Sequence, residues 1–163
     1  MADLQKDLEL LQTHFAAISK LDIPAIMATF HPDIVIEAPF TPQIFTASVP
    51  SQIEGKEAVE KFFTSLTDLV APLAFSELSI EPLREPGEYF CRFKGNSKWL
   101  STNRPYCNQY ASLLSVRDGL VHRMTEWYDP ITIINAAGGR VALDSQEREH
   151  NHLTRPGVLS ILN

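Results

Sequence analysis

The chain has 163 residues, a net charge of -6, 44% hydrophobic and 21% charged residues, the balance of one folded globular domain rather than a disordered chain. At this length roughly two thirds of the unfolded surface can be buried, so no metal or disulfide staple is needed, and the acidic balance argues against a nucleic-acid partner. The apolar runs are too short for a membrane span, the start MADLQKDLEL lacks the order of a secretory signal, and Cys91 and Cys107 make no disulfide framework, which together point to a cytoplasmic protein with reduced thiols.

The first nineteen residues predict an amphipathic helix, with Leu4, Leu8, Leu11, Phe15 and Ile18 at three- and four-residue steps and Asp3 as cap. A shorter helix follows from Asp22, with Pro24 in its first turn and Ile23, Ile26 and Phe30 apolar, until His31-Pro32-Asp33 breaks it. Ile34-Val35-Ile36 is β-branched and predicts a strand closed by Pro39 and Pro42, and Ile44-Phe45-Thr46 offers a second short strand. Gly55 precedes a third helix from about Lys56 to Leu69, with Val59, Phe62, Phe63 and Leu66 on one face. Beyond Pro72 the pattern is strand-like over 73–83, 88–100, 106–116 and 120–128, with a tight hairpin at Arg117-Asp118-Gly119. Asp129 before Pro130 reads as the end of the last strand. Helices followed by a run of long strands predict an α+β domain, one curved sheet wrapped on three N-terminal helices. The domain is assigned to 1–137, and 138–163 to a C-terminal tail that folds back or reaches a partner subunit.

Alternation sorts the last hairpin into two faces. Asn108, Tyr110, Ser112, Leu114 and Val116, with Met124, Glu126 and Tyr128, mix apolar walls with a few polar groups, the lining of a ligand pocket. Cys107, Gln109, Ala111, Leu113 and Ser115, with Val121, Arg123, Thr125 and Trp127, form a face too apolar to stay wet, and a homodimer through this outer face is expected.

With this order and the segment YCNQYASLLSVRDGLVHRMTEWYD (106–129), the chain resembles the nuclear transport factor 2-like superfamily, whose cone-shaped α+β fold includes ketosteroid isomerases and SnoaL-like polyketide cyclases. Phe30-His31-Pro32-Asp33, Ile53-Glu54-Gly55-Lys56 and the Arg-Asp-Gly hairpin carry the resemblance over residues 1 to about 135. Tyr106-x-Asn108-x-Tyr110, Asp118-Gly119 and Glu126-Trp127 look most like its phenazine-biosynthesis A/B subgroup. The resemblance implies a small-molecule pocket but not one reaction. The isomerases' catalytic base falls on Ala38, their helix tyrosine on His14 and their second carboxylic acid near Ser112, which disfavours steroid isomerisation by that route. The glutamate of the phenazine proteins falls on Glu126, and their partner histidine on Phe62.

Glu126 is thus the first candidate for proton transfer, because an apolar cone should raise its pKa; the competing reading pairs it with Arg92 or Arg123. His14 is the candidate assistant. Asn108, Tyr110, Ser112 and Tyr128 would hold a carbonyl or its enolate, and Met124, Phe62, Ala38 and Phe40 would complete the substrate site. His150-Asn151-His152 lacks the further ligands of a metal site, and no phosphate-binding glycine loop occurs, so neither a metal nor another cofactor is expected. The leading expectation is an isomerase, cyclase or dehydratase acting on a small apolar carbonyl compound. The alternative is a non-catalytic ligand-binding or interaction domain of the same fold.

Overall fold

A computed structural model describes residues 4–142. The proposed cap Asp3, His150, His152 and most of the 138–163 tail lie outside the described residues. α1 (Leu4–Lys20) turns Leu11, Phe15 and Ile18 inward, while Leu4 stays exposed. α2 (Ile23–Thr29) starts as its sequence demands: Pro24 sits in the first turn, and the Asp22 carboxylate accepts the Ala25 N–H at 3.2 Å. The helix ends at Thr29, and β1 (Phe30–Glu37) already begins at Phe30, before the His-Pro-Asp break.

The Ile44-Phe45-Thr46 strand does not form. Pro39 and Pro42 deny this stretch ladder donors, and Gln43–Phe45 closes a single 3₁₀ turn instead. The short partner of β1 is β2 (Gln52–Glu54). α3 (Lys56–Leu66) stops one turn short of Leu69, with Val59 and Phe63 on its buried face. β3 (Ser76–Pro82), β4 (Glu88–Trp99), β5 (Arg104–Arg117) and β6 (Leu120–Tyr128) follow as consecutive antiparallel neighbours. Six strands form one sheet in the order β2-β1-β6-β5-β4-β3, antiparallel except for the β1–β6 pair. A fourth helix, α4 (Pro130–Ala136), was not foreseen: Asp129 does not merely end β6 but caps α4, accepting the Ile131 N–H at 2.8 Å. The fold is therefore α+β, with helices on the concave side of an open mixed sheet.

Asp118 and Gly119, at φ of 54° and 73°, are the two central residues of the β5–β6 turn, the left-handed pair that a two-residue hairpin requires. Two pairs beyond it the register shifts: Val116 faces Val121, but Ser115 faces Arg123. His122 is the extra residue of a β-bulge. Val121, expected on the outer face, is consequently fully buried on the inner one.

The core joins α1 to the sheet through aromatic rings. Phe15 lies 4.8 Å from Phe93, and Phe93 stacks on Tyr110 at 4.9 Å. Tyr89 donates its O–H to Asp7 Oδ2 at 2.8 Å, so the buried carboxylate of α1 is satisfied from β4. No helix among the described residues is long and apolar enough to cross a membrane.

His14 is wholly buried between Phe15 and Phe30. Thr29 Oγ1 donates to the Ile26 carbonyl at 2.7 Å, so it must accept from His14 Nδ1 at 2.8 Å. The ring is therefore the Nδ1–H tautomer, and Nε2 has no partner among the described residues. Burial holds the imidazole pKa down at about 3. The folded protein thus binds this proton far more weakly than the unfolded chain, and the neutral ring's contribution to stability should be lost as pH falls from about 6.5 towards 3. Urea unfolding at pH 7 and pH 4.5 checks this: the stability lead of the wild type over His14→Leu should shrink or invert at the lower pH.

Candidate functional site

Between the helices and the concave face lies a cavity of ≈ 100 Å³. Its walls follow from the elements. α1 gives Ile18, and α3 gives Phe62, Phe63 and Leu66. Ile36 and Ala38 come from the end of β1, and Val49, Pro50 and Ile53 from the loop and strand after it. The sheet contributes Trp99, Tyr106, Tyr110, Met124, Glu126 and Tyr128, and α4 contributes Ile133. Phe75, Val70 and Leu73 close the far side.

The bulge at His122 decides the inner row of β6. With Ser115 facing Arg123, the pairs Leu114–Met124, Ser112–Glu126 and Tyr110–Tyr128 fall on the inner face. Glu126 is the single charged side chain among the described residues of the wall. Ser112 Oγ, on the cross-strand partner, donates to Glu126 Oε2 at 3.3 Å, and no arginine among the described residues takes part. Burial pushes the Glu126 pKa up to about 7, only partly opposed by the Ser112 hydrogen bond. Near neutral pH this carboxyl can give or take a proton.

Three tyrosines surround it. Tyr110 donates its O–H to Tyr106 at 3.2 Å, and Tyr128 shares a hydrogen bond of 2.7 Å with Thr41 Oγ1 from the β1–β2 loop. Burial raises all three phenol pKa values, with the Glu126 charge adding to the rise, and Tyr106 is pushed up to about 12. At neutral pH these hydroxyls are hydrogen-bond donors, not acids.

Of the residues expected at the site, Glu126, Tyr110, Tyr128, Met124, Phe62 and Ala38 line the cavity. Four others are placed elsewhere. His14 is behind the wall, in the α1–α2 contact. Ser112 is fully buried and reaches the site only through Glu126. Asn108 accepts the Asp129 N–H at 3.0 Å and donates to the Asp129 carbonyl at 3.1 Å, fastening the start of α4 to β5. Phe40 is 56% exposed and borders a groove on the outer sheet face, because the chain leaves the sheet at Pro39. Tyr106 and Trp99 were missed as wall residues. Alternation carried the signal for both, since Tyr106 shares a face with Tyr110, and Trp99 shares one with Phe93. Ile133 had no comparable signal, since the segment after Asp129 was assigned no helix or strand.

The SnoaL-like domain family matches residues 11–124, and the chain belongs to it. YesE, an uncharacterized protein of Bacillus subtilis (strain 168), is 22% identical over 139 residues, 85% of this chain and 92% of YesE. Among solved structures, a Bacillus subtilis protein described as a "Putative Isomerase" superposes with a TM-score of 0.76 at 22% identity, covering 88% of this chain and 100% of its own. A Xanthomonas campestris pv. campestris protein described as a "putative polyketide cyclase" gives 0.69 at 17% identity, covering 82% and 98%. A protein of ketosteroid isomerase-like fold from Catenulispora acidiphila DSM 44928, in complex with trimethylamine, gives 0.66 at 11%, covering 80% and 93%.

Because the folded-state pKa of Glu126 is raised from 4.5 to about 7, its ionisation opposes folding increasingly between those values and fully above them. Glu126→Gln should therefore be more stable than the wild type at pH 8, by on the order of 1–3 kcal/mol, with most of the gain gone at pH 5. Chemical denaturation at the two pH values measures the difference, and a pH-independent one would place the carboxyl in water.

Proposed function

We propose that this SnoaL-like chain is a cofactor-independent enzyme that moves a proton along a small, mostly apolar carbonyl compound, with Glu126 as the acid–base group. The observation that carries the reading is the half-buried carboxyl itself, its pKa pushed up to about 7 in a wall otherwise built, among the described residues, of apolar side chains, an indole and phenol hydroxyls. The Glu126 carboxylate takes a proton from the carbon next to the carbonyl, leaving an enolate whose oxygen accepts hydrogen bonds from tyrosine. The same carboxyl, now protonated, returns the proton to another carbon of the conjugated system, and the double bond moves. Proton and charge balance without a co-reactant. His14 has no transfer to make, since its ring is sealed off from the cavity.

The likeness of Tyr106-x-Asn108-x-Tyr110 and Glu126-Trp127 to the phenazine A/B subgroup supports a role for Glu126. Phe62 in place of that subgroup's histidine leaves one acid–base group instead of two. That departure, with Ala38 at the isomerases' base position, favours the second reading, a pocket that binds a small ligand without turning it over. The trimethylamine complex of the Catenulispora protein is in keeping with small-ligand binding under either reading. We also propose that two copies pair through the outer sheet face, where Ala111, Leu113 and Trp127 remain only partly buried, and that the protein is cytoplasmic, with Cys91 and Cys107 as thiols. A monomer in sedimentation at micromolar concentration would overturn the pairing.

Solvent deuterium exchange into a cyclic enone, followed by NMR, separates the readings. The enzyme should exchange the carbon-bound protons, at a rate rising with pH through about 7 as the base form of Glu126 fills. Glu126→Gln should lower that rate by about 10²–10⁴-fold while binding persists. Binding without exchange in the wild type would establish the non-catalytic pocket.

A further inference from the structure

The cavity as it stands is closed too tightly to receive a ring. Its ≈ 100 Å³ is less than the roughly 150 Å³ apolar cavity that accepts one benzene. A cyclic compound therefore enters only if part of the wall moves, and the parts of the wall are fastened very differently.

α4 is held by four hydrogen bonds. Asn108 makes two to the backbone of Asp129, Thr102 Oγ1 donates to the Ala136 carbonyl at 2.6 Å, and Arg104 Nη1 donates to the Asn135 carbonyl at 3.0 Å. α3 buries Val59 and Phe63, and its Lys56 Nζ donates to the Phe30 carbonyl at 3.1 Å. Residues 39–50, between β1 and β2, have no such ties. Their base is closed by the Ala38 N–H on the Ser51 carbonyl at 2.8 Å. Inside it, Thr41 donates to the Ala38 carbonyl, Phe45 to that of Pro42, Thr46 to that of Gln43, and Ser48 and Val49 to that of Phe45. Among the described residues, every hydrogen bond of this backbone stays within the segment or its base. One hydrogen bond leaves it, from the Thr41 side chain to the Tyr128 hydroxyl at 2.7 Å. The rest of its hold is apolar: Phe45 lies 6.0 Å from Trp99, and Val49 and Pro50 pack into the wall. Phe40 and Ile44 are exposed.

Such a segment, with its ends together and its bonds internal, is an Ω-loop, and Pro39, Pro42 and Pro50 stiffen it further. It can swing about its base without breaking a strand pair. A surface groove between it and α3 shows where that motion leads. Ala47 and Ser48 border the groove, while Pro50, Ile53 and Phe62 line both the groove and the cavity. We propose that residues 39–50 are a hinged lid, latched by the Thr41–Tyr128 hydrogen bond, whose opening joins the cavity to the groove along α3 and admits the ligand. Both latch points, Tyr128 and Trp99, are wall residues, so closure of the lid also sets the shape of the site. The lid goes beyond the proton-transfer reading, since an enzyme and a binding pocket would need it equally.

Thiol labelling tests the lid without any ligand. Met124→Cys, made together with Cys107→Ser, places a thiol in the cavity wall, and the buried Cys91 reports global opening. Where closing outpaces labelling, the rate with methyl methanethiosulfonate follows the open population. With the native loop, the introduced thiol should react at least about tenfold more slowly than the exposed Cys107 of the wild type. Thr41→Val should speed it about five- to tenfold, the loss of one hydrogen bond, with Cys91 unchanged. Tyr128→Phe should do the same, and the two together no more than either alone, since both remove one bond. A thiol as reactive as Cys107 behind the native loop would overturn the lid, as would rates indifferent to both latch variants. An equal rise at Cys91 would overturn it too, by showing general loosening. Thr102→Val frees one tie of α4, and if it sped labelling as much as Thr41→Val, entry would lie at α4 instead. No turnover is read, so the lid and the role of Glu126 fail separately.

Discussion

The register between β5 and β6 is the constraint on which the site depends. A two-residue turn at Asp118-Gly119 starts the pairing with Arg117 opposite Leu120, and continued without a break it would set Ser112 opposite Thr125 and Tyr110 opposite Trp127. Arg123, Thr125 and Trp127 would then face the helices, and Glu126 would face away. One additional residue at His122 exchanges the two rows. The same bulge leaves Val121 inside at the hairpin end, so β6 presents apolar residues inward on both sides of the shift. The position of the carboxyl is thus settled by one residue of irregular backbone about a turn's length from the β-hairpin loop, not by the residues around it.

That placement explains why strand alternation recovered the inner row from Met124 onward but misassigned Val121. Each stretch of strand has the correct period of two, and the change of phase between them has no residue signature: His122 is neither glycine nor proline. Where local chemistry is specific, the sequence was readable. Asp22 with Pro24 marks the start of α2, Asp118-Gly119 the hairpin, and Gly55 the approach to α3. The signal at Asp129-Pro130 has the same form as that at Asp22, a carboxylate cap followed by proline, yet it was read as the end of a strand because a strand preceded it. The loop from Pro39 to Pro50 failed differently. Its β-branched and aromatic residues suit a strand, but the prolines and the packing of Phe45 on Trp99 favour a compact turn against the cavity wall.

The polar residues divide along similar lines. Alternation tells which face a side chain takes, but not whether that face meets a cavity, a neighbouring element or a strand end. Asn108 and Tyr106 share the inner face, and only Tyr106 reaches the cavity, because Asn108 is occupied with the backbone of Asp129. A buried amide does need partners, as the sequence suggested, and it found them in the chain. His14 illustrates the converse. Its position near the apolar stripe of α1 was apparent, but Thr29 Oγ1, fifteen residues away, accepts a hydrogen bond from its Nδ1–H and fixes the ring behind the wall.

A single carboxyl in a cavity of this kind also constrains the chemistry proposed for it. Without a second acid, dehydration requires the departing oxygen to lie on the face from which Glu126 took the proton, so that the same carboxyl can protonate it, and a cyclisation that loses water has the same need. The tyrosines are poor candidates for that role. Burial pushes Tyr106 up to about 12 and Tyr110 well above the ordinary phenol value, so each can stabilise an oxyanion by hydrogen bonding without giving up its proton. With His14 held neutral outside the wall and phenylalanine at 62, the proton that Glu126 removes has one place to be kept and one place to return. Under the proton-transfer reading proposed above, migration of a double bond on one face of the substrate is the chemistry that asks least of a single carboxyl.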